Sequence, residues 1–158
     1  MTAFPKRILF GLTLVALPVC ASAQPASSKK YADVNGWAVL SYSHAGSHMR
    51  CGAVAPGDSG SLTSFEKSRE GWTVLVRTTV TGDSVQGTIE IDGRTFGGPF
   101  YRMEDDRVGL FLKDAQLKKT RSGKFMTVTI GVEKTQVSLS GVNGVFRKVA
   151  ECDKKSGA

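Results

Sequence analysis

Residues 72–80 read Trp72-Thr73-Val74-Leu75-Val76-Arg77-Thr78-Thr79-Val80, and this stretch decides the fold class. In an extended chain Trp72, Val74, Val76, Thr78 and Val80 share one face, while Thr73, Leu75, Arg77 and Thr79 take the other. β-Branched residues fill most positions, and the two-residue period is that of a strand rather than a helix. Gly82-Asp83 turns the chain, and residues 86–91 alternate again with Ile89 and Ile91 inward. Asp92-Gly93 is a two-residue hairpin signal, and the return strand runs through Arg94-Thr95-Phe96 until Gly97-Gly98-Pro99 breaks the pattern.

Upstream, residues 37–42 and 49–54 are expected to pair across a 43–48 loop, and 56–61 (Pro-Gly-Asp-Ser-Gly-Ser) is turn chemistry throughout. Downstream, residues 108–112 form a short apolar run, and Asp114 can cap a brief helix over 115–121 that stops at Gly123. Residues 124–131 and 135–139 read as a hairpin, with Met126, Val128 and Ile130 on one face and Val137 and Leu139 continuing it. The period then changes. Val142, Val145, Phe146 and Val149 stand at i, i+3, i+4 and i+7, an amphipathic helix near 141–152 that Ser140 can cap and that delivers Cys152. The expectation is a mostly-β domain, a small antiparallel barrel or sandwich of six to eight strands, with the last helix plugging one end or packing on one face.

The first 23 residues carry a different signal. Lys6-Arg7, the apolar run 8–19 and Ala21-Ser22-Ala23 match the charged, apolar and small-residue regions of a cleaved signal peptide. The apolar run is shorter than the roughly 20 residues that span a bilayer, so no transmembrane segment is expected in the mature chain. Val19 before Cys20 departs from the small residue that lipoprotein processing requires. Cleavage near Ala23 places the protein in the periplasm or outside the cell. Residues 24–35 then read as a flexible polar leader, 36–153 as a single domain and 154–158 as a tail. Loss of Lys6 and Arg7 leaves 19 basic against 14 acidic side chains, a net charge of +5. Cys51 and Cys152 remain, and an even pair in an oxidising compartment reads as one disulfide.

Motifs for chemistry are few. Gly57-Asp58-Ser59-Gly60 matches the nucleophile motif of trypsin-like proteases, but the only histidines, His44 and His48, lie close upstream of it and the chain is too short for two barrels. A turn explains the four letters better. His44, His48 and Cys51 have metal-ligand residue types, yet Cys51 is wanted for the bridge and no fourth ligand is apparent, so His44 and His48 are weak candidates. Glu104-Asp105-Asp106 lacks the alternating spacing of a calcium loop. Lys118, Lys119, Arg121 and Lys124 form the densest basic cluster, which could meet an anionic envelope surface. No nucleic-acid motif accompanies it, and no nucleic acid is expected as a partner. Trp37 and Trp72 read as core anchors. The residues assign no catalytic role and no cofactor; the ones singled out, Cys51 and Cys152, are structural.

One ordered set carries a resemblance: the signal peptide, Gly36-Trp37-Ala38-Val39, Cys51 leading to Pro56, the hairpin Ile91-Asp92-Gly93, and the ending Val137-Ser138-Leu139-Ser140-Gly141-Val142 followed by Phe146, Val149 and Cys152. It resembles the invasion-associated locus B family of alphaproteobacterial periplasmic proteins over most of the mature chain, although it lacks the additional cysteines of some members. The resemblance implies a β-rich periplasmic or surface-associated protein without enzymatic chemistry, linked in some members to host-cell entry. The function expected is therefore that of an exported, non-enzymatic accessory or virulence-associated protein acting by surface binding. Two alternatives stay open. One is a periplasmic or secreted inhibitor of a lysozyme or protease, with 43–48 or 55–64 as its protruding loop; the other is a secreted effector acting in a host cell.

Overall fold

A computed structural model describes residues 26–55 and 63–156. The expected signal peptide and the Gly57-Asp58-Ser59-Gly60 motif lie outside the described residues. The strands are β1 (Ser27–Val34), β2 (Trp37–His44), β3 (Ser47–Val54), β4 (Ser64–Ser68), β5 (Gly71–Arg77), β6 (Ser84–Ile91), β7 (Arg94–Glu104), β8 (Arg107–Phe111), β9 (Phe125–Ile130) and β10 (Glu133–Ser138). Helix α1 (Asp114–Ser122) precedes β9, and α2 (Val142–Ser156) follows β10. All pairings are antiparallel in one sheet of order β1-β2-β3-β4-β5-β8-β7-β6-β9-β10.

The mostly-β class is as expected, but the sheet has ten strands rather than six to eight, and β1 and β10 are free edges, so it is not closed. Two added strands account for the count, and a third element is longer than expected. Residues 27–34, expected to be a flexible leader, pair with β2 as strand β1. Ser64–Ser68, given no element from sequence, becomes β4 between β3 and β5. The Gly97-Gly98-Pro99 stretch does not end its strand: β7 runs through it to Glu104. Pro99 is tolerated opposite Gln86, and the ladder to β8 begins only at Tyr101, leaving Pro99 free of the donor it lacks on that side. Helix α2 continues to Ser156 rather than yielding to a tail at 154.

Three hairpins share one solution. Asn35-Gly36, Ala45-Gly46 and Asp92-Gly93 all hold left-handed backbone at both central residues, the turn whose twist matches that of the flanking strands. Asp92 does more than turn: its carboxylate accepts from the backbone N–H groups of Phe125 (3.2 Å) and Lys124 (3.1 Å), tying the β6–β7 turn to the start of β9 and holding its pKa below the ordinary range. The β5–β6 connection crosses the sheet end with its polar groups satisfied. Glu133 at the start of β10 accepts from the Thr78 hydroxyl (2.6 Å) and the Thr79 hydroxyl and backbone, and Arg102 reaches the carbonyls of Val80 and Gly82.

The core is one cluster that draws on most strands of the sheet and on α2, which packs against β1 to β4. Val142, Val145, Phe146, Val149 and Cys152 bury the stripe that the sequence periodicity marks. Phe146 sits 5.0 Å from the Phe65 ring and 4.5 Å from Trp72, and Phe65 stacks on Trp37 at 5.5 Å. Phe65 comes from the strand that sequence reading missed. Trp37 is a full core residue, whereas Trp72 packs at the core's margin. The expected disulfide is present: Cys51 of β3 and Cys152 of α2 are bridged, with Cα atoms 6.1 Å apart and 101 residues between them in sequence. A second clamp holds α2 to the edge strand. Glu151 accepts from Lys155, Lys148 and the Tyr31 hydroxyl of β1, and these bonds, the lysine ones foremost, lower its pKa to about 2.

Two outcomes are expected. Replacing both Cys51 and Cys152 with serine should cost about 4 kcal/mol, the value for a loop of roughly 100 residues, read as a fall in the urea midpoint that reductant reproduces in the unaltered protein; an unchanged midpoint would refute the clamp. Glu151 titrates lower in the folded chain than in the unfolded one, so its contribution is present above the ordinary carboxylate range and disappears as pH falls toward 2. Thermal melts of Glu151→Gln should therefore lose part of the acid slope that the unaltered protein shows between about pH 5 and 2.

A candidate binding groove

On the strands that α2 covers from one side, alternation sends every second residue to the opposite face. Register then sets a row across four strands: Gly52 of β3 lies opposite Glu66 of β4, Glu66 opposite Thr73 of β5, and Thr73 opposite Phe111 of β8. The next row aligns Ser64, Leu75, Gly109 and Tyr101. Two glycines in strand interiors make room there. A Cβ at Gly52 would stand 2.8 Å from Cγ of Glu66, and one at Gly109 would stand 2.9 Å from Cγ2 of Thr73 and 3.1 Å from Cγ of Met103. The neighbouring side chains lean into the space that these glycines leave.

The result is a groove of about 320 Å³, rimmed by Met49, Met103 and Phe111 over Leu75 and Thr73. Met49, Met103 and Phe111 are between a third and a half exposed, an apolar patch that a strand surface would otherwise bury or replace. At one side of its floor lies Glu66, only 4% exposed. Arg50 Nε stands 2.6 Å from Glu66 Oε2 and Arg107 Nη2 3.6 Å from Oε1, and both arginines continue to Glu104 at 2.9 and 3.3 Å. The contacts to Glu104 are hydrogen bonds, whereas Arg50 Nε, though close to Glu66, has no aligned acceptor among the described residues and attracts it as a charge only. Burial accordingly wins: the Glu66 carboxyl is pushed above its ordinary range, the two arginines opposing that shift only in part. Tyr42, under the Arg50 guanidinium at 5.0 Å, is also raised, first by burial and then by the Glu66 charge.

Arg69 and Met49 are shared with a second, polar hollow of about 530 Å³ at the end of α2, lined by Ser47, His48, Asp153 and Lys154 among others. The His48 side chain is only 12% exposed. It lies in β3 with Nε2 3.3 Å from Asp153 Oδ1 and Nδ1 3.4 Å from Ser41 Oγ, while Lys67 approaches Asp153 at 3.4 Å. Ser41, His48 and Asp153 have the residue types of a nucleophilic triad. Ser41 Oγ, however, donates to Ser156 at 3.4 Å, which directs its proton away from the imidazole. The set works as a strut between the sheet and the end of α2.

The remaining sequence candidates are scattered. His44 is exposed at the end of β2, across the turn from His48, and among the described residues no three metal-ligating side chains cluster. The 43–48 loop is a tight turn with β2 and β3 reaching His44 and Ser47, and most of 55–64 lies outside the described residues. Glu104, Asp105 and Asp106 sit at the β7–β8 turn, where Glu104 serves Arg50 and Arg107 and Asp106 pairs with Arg77 at 2.7 Å. In the basic cluster, Lys119 reaches Asp92 at 3.8 Å and Arg121 lies over the Phe146 ring at 5.3 Å. Among the described residues no helix is long and apolar enough to cross a membrane.

The groove residues were not singled out from sequence. The signal available was the pair of glycines inside strand patterns, Gly52 after Cys51 and Gly109 between Val108 and Leu110. Comparisons with family models, with curated proteins and with solved structures give no match to the chain.

Removing the acid from the arginine cluster tests its burial. Glu66→Ala leaves two partly buried guanidinium groups facing each other and should destabilise the protein by about 3 kcal/mol in urea unfolding. A change within about 0.5 kcal/mol, the range of ordinary surface substitutions, would show that the cluster is solvated.

Proposed function

We propose that the chain is an exported, non-enzymatic accessory protein of the envelope or the secreted fraction, similar to the invasion-associated locus B proteins, and that it works by binding a partner in the groove opposite α2. The observation that carries this reading is the groove itself: an apolar rim of Met49, Met103 and Phe111 left open above a floor whose charged groups are already paired. Such a surface suits recognition, since its methionines adapt to a contact and its paired charges set orientation without demanding new partners. Export is supported by the leader pattern of residues 1–23 and by the buried disulfide, which an oxidising compartment would sustain.

Charging the rim tests the reading. The unaltered protein, expressed in full length, should be recovered from the periplasmic or secreted fraction with its N-terminus near Gln24, and as bait should retain an envelope component. The double variant Met49→Glu/Phe111→Glu should keep its melting temperature, both side chains being exposed, and lose that retention by about tenfold or more. Equal retention by both baits, or an uncleaved cytosolic product, would overturn it.

A further inference from the structure

We propose that the groove and the adjoining polar hollow are one site, and that its ligand is a single-chain anionic amphiphile of the fatty-acid class. The inference rests on the binding role assigned to the groove and names its occupant. The two concavities share Met49 and Arg69, so an apolar groove of about 320 Å³ adjoins a polar hollow of about 530 Å³. Their joint size falls within that of ordinary small-molecule sites. A molecule at their junction has its chain among Met49, Leu75, Met103 and Phe111 and its head group at Arg69, facing the polar hollow that Ser47 and Lys154 line.

Charge decides the polar end. Glu66 is committed to Arg50 and Arg107, and Asp153 to His48 and Lys67. Among the described residues Arg69 and Lys154 form no ion pair; neither does Glu70, an exposed residue that lines the groove beside Arg69. The uncommitted charge is therefore cationic by one, and Lys154 offsets the partial negative charge of the α2 C-terminus. Arg69 stands at the junction, where a head group would sit with its chain running into the groove, and its planar fork matches a carboxylate.

Backbone chemistry decides the apolar end. The groove runs over β3, β4, β5 and β8, all interior strands with partners on both sides. A peptide laid there would find no free strand edge and would bury its own amides without ladder partners. An alkyl chain has no such groups to satisfy.

The test titrates dodecanoate, below its critical micelle concentration, into the disulfide-bonded mature chain, with amide chemical shifts and calorimetry as readouts. Saturable one-to-one binding is expected, with shifts at Met49, Leu75, Met103 and Phe111. Arg69→Ala should weaken it by roughly tenfold or more, the loss of one charge-assisted hydrogen bond, while Arg69→Lys restores part of it. Lys118→Ala, in the basic cluster on α1, should leave it unchanged. Dodecyl maltoside should bind at least tenfold more weakly, because its head offers Arg69 no charge. The proposal fails if dodecanoate does not saturate, if the maltoside binds as tightly, if Arg69→Ala has no effect, or if an apolar peptide displaces dodecanoate at lower concentration. Rim-dependent capture of an envelope component without dodecanoate binding would sink the amphiphile alone; absence of both would sink the binding role as well.

Discussion

The seating of Phe146 against Phe65 and Trp72 is the contact on which the rest of this structure depends. A sheet buries one face, and over its N-terminal strands α2 supplies the cover. The apolar stripe of α2 meets strands β1 to β4, so the helix joins the N-terminal edge strand to the interior of the sheet. Cys51–Cys152 makes that seating resistant to local opening, since the helix cannot leave β3 while the bridge is intact. Glu151, drawing on Tyr31, does the same for β1, which has a partner on one side only and would otherwise fray.

Covering one face determines what the other can be. The reverse of β3, β4, β5 and β8 mixes buried residues such as Ser64 and Leu75 with features that cost stability. Glu66 is desolvated, with arginine pairing that offsets only part of the penalty, and Gly52 and Gly109 give up strand propensity where an added Cβ would meet Glu66 and Thr73. Apolar side chains at the rim stay exposed. These locally unfavourable choices gather on the face that carries the groove, in a chain that is otherwise consistent across levels.

How far the sequence could be read follows the same division. Segments whose apolar residues face the core announced themselves through period: residues 72–80 as a strand, of which 72–77 lie in β5 and 78–80 do not, Asp92-Gly93 as a hairpin, and Val142, Val145, Phe146 and Val149 as a helix face. The disulfide was legible by count alone. What escaped is short or polar. Ser27–Val34 contains Ser27-Ser28-Lys29-Lys30 and has the composition of a leader; only pairing with β2 makes it a strand. Ser64–Ser68 offers a single large apolar residue, Phe65, too little for a periodic signal, yet its neighbours β3 and β5 are both incomplete without it. The His44 and His48 pair misled because residue type says nothing of which strand position faces α2. The groove was hidden for a further reason: Arg50, Glu66 and Arg107 are brought together by register between strands separated by a long hairpin, and no local window contains all three.

Register also explains why the groove lies where it does. The β6–β7 hairpin is inserted between β5 and β8 in sequence but beyond β8 in space, so β5 pairs with β8 directly and Arg107 arrives beside Glu66. The irregular pairing between Arg102 and Glu104 then shifts the end of β7, and Met103 lies against Gly109 while Glu104 turns back toward Arg50 and Arg107. A bulge re-aims side chains at a strand's end without breaking the strand. Here it supplies both the apolar wall and the second acid of the site. A regular ladder would place consecutive residues 103 and 104 on opposite faces, and the groove would keep one of them and lose the other.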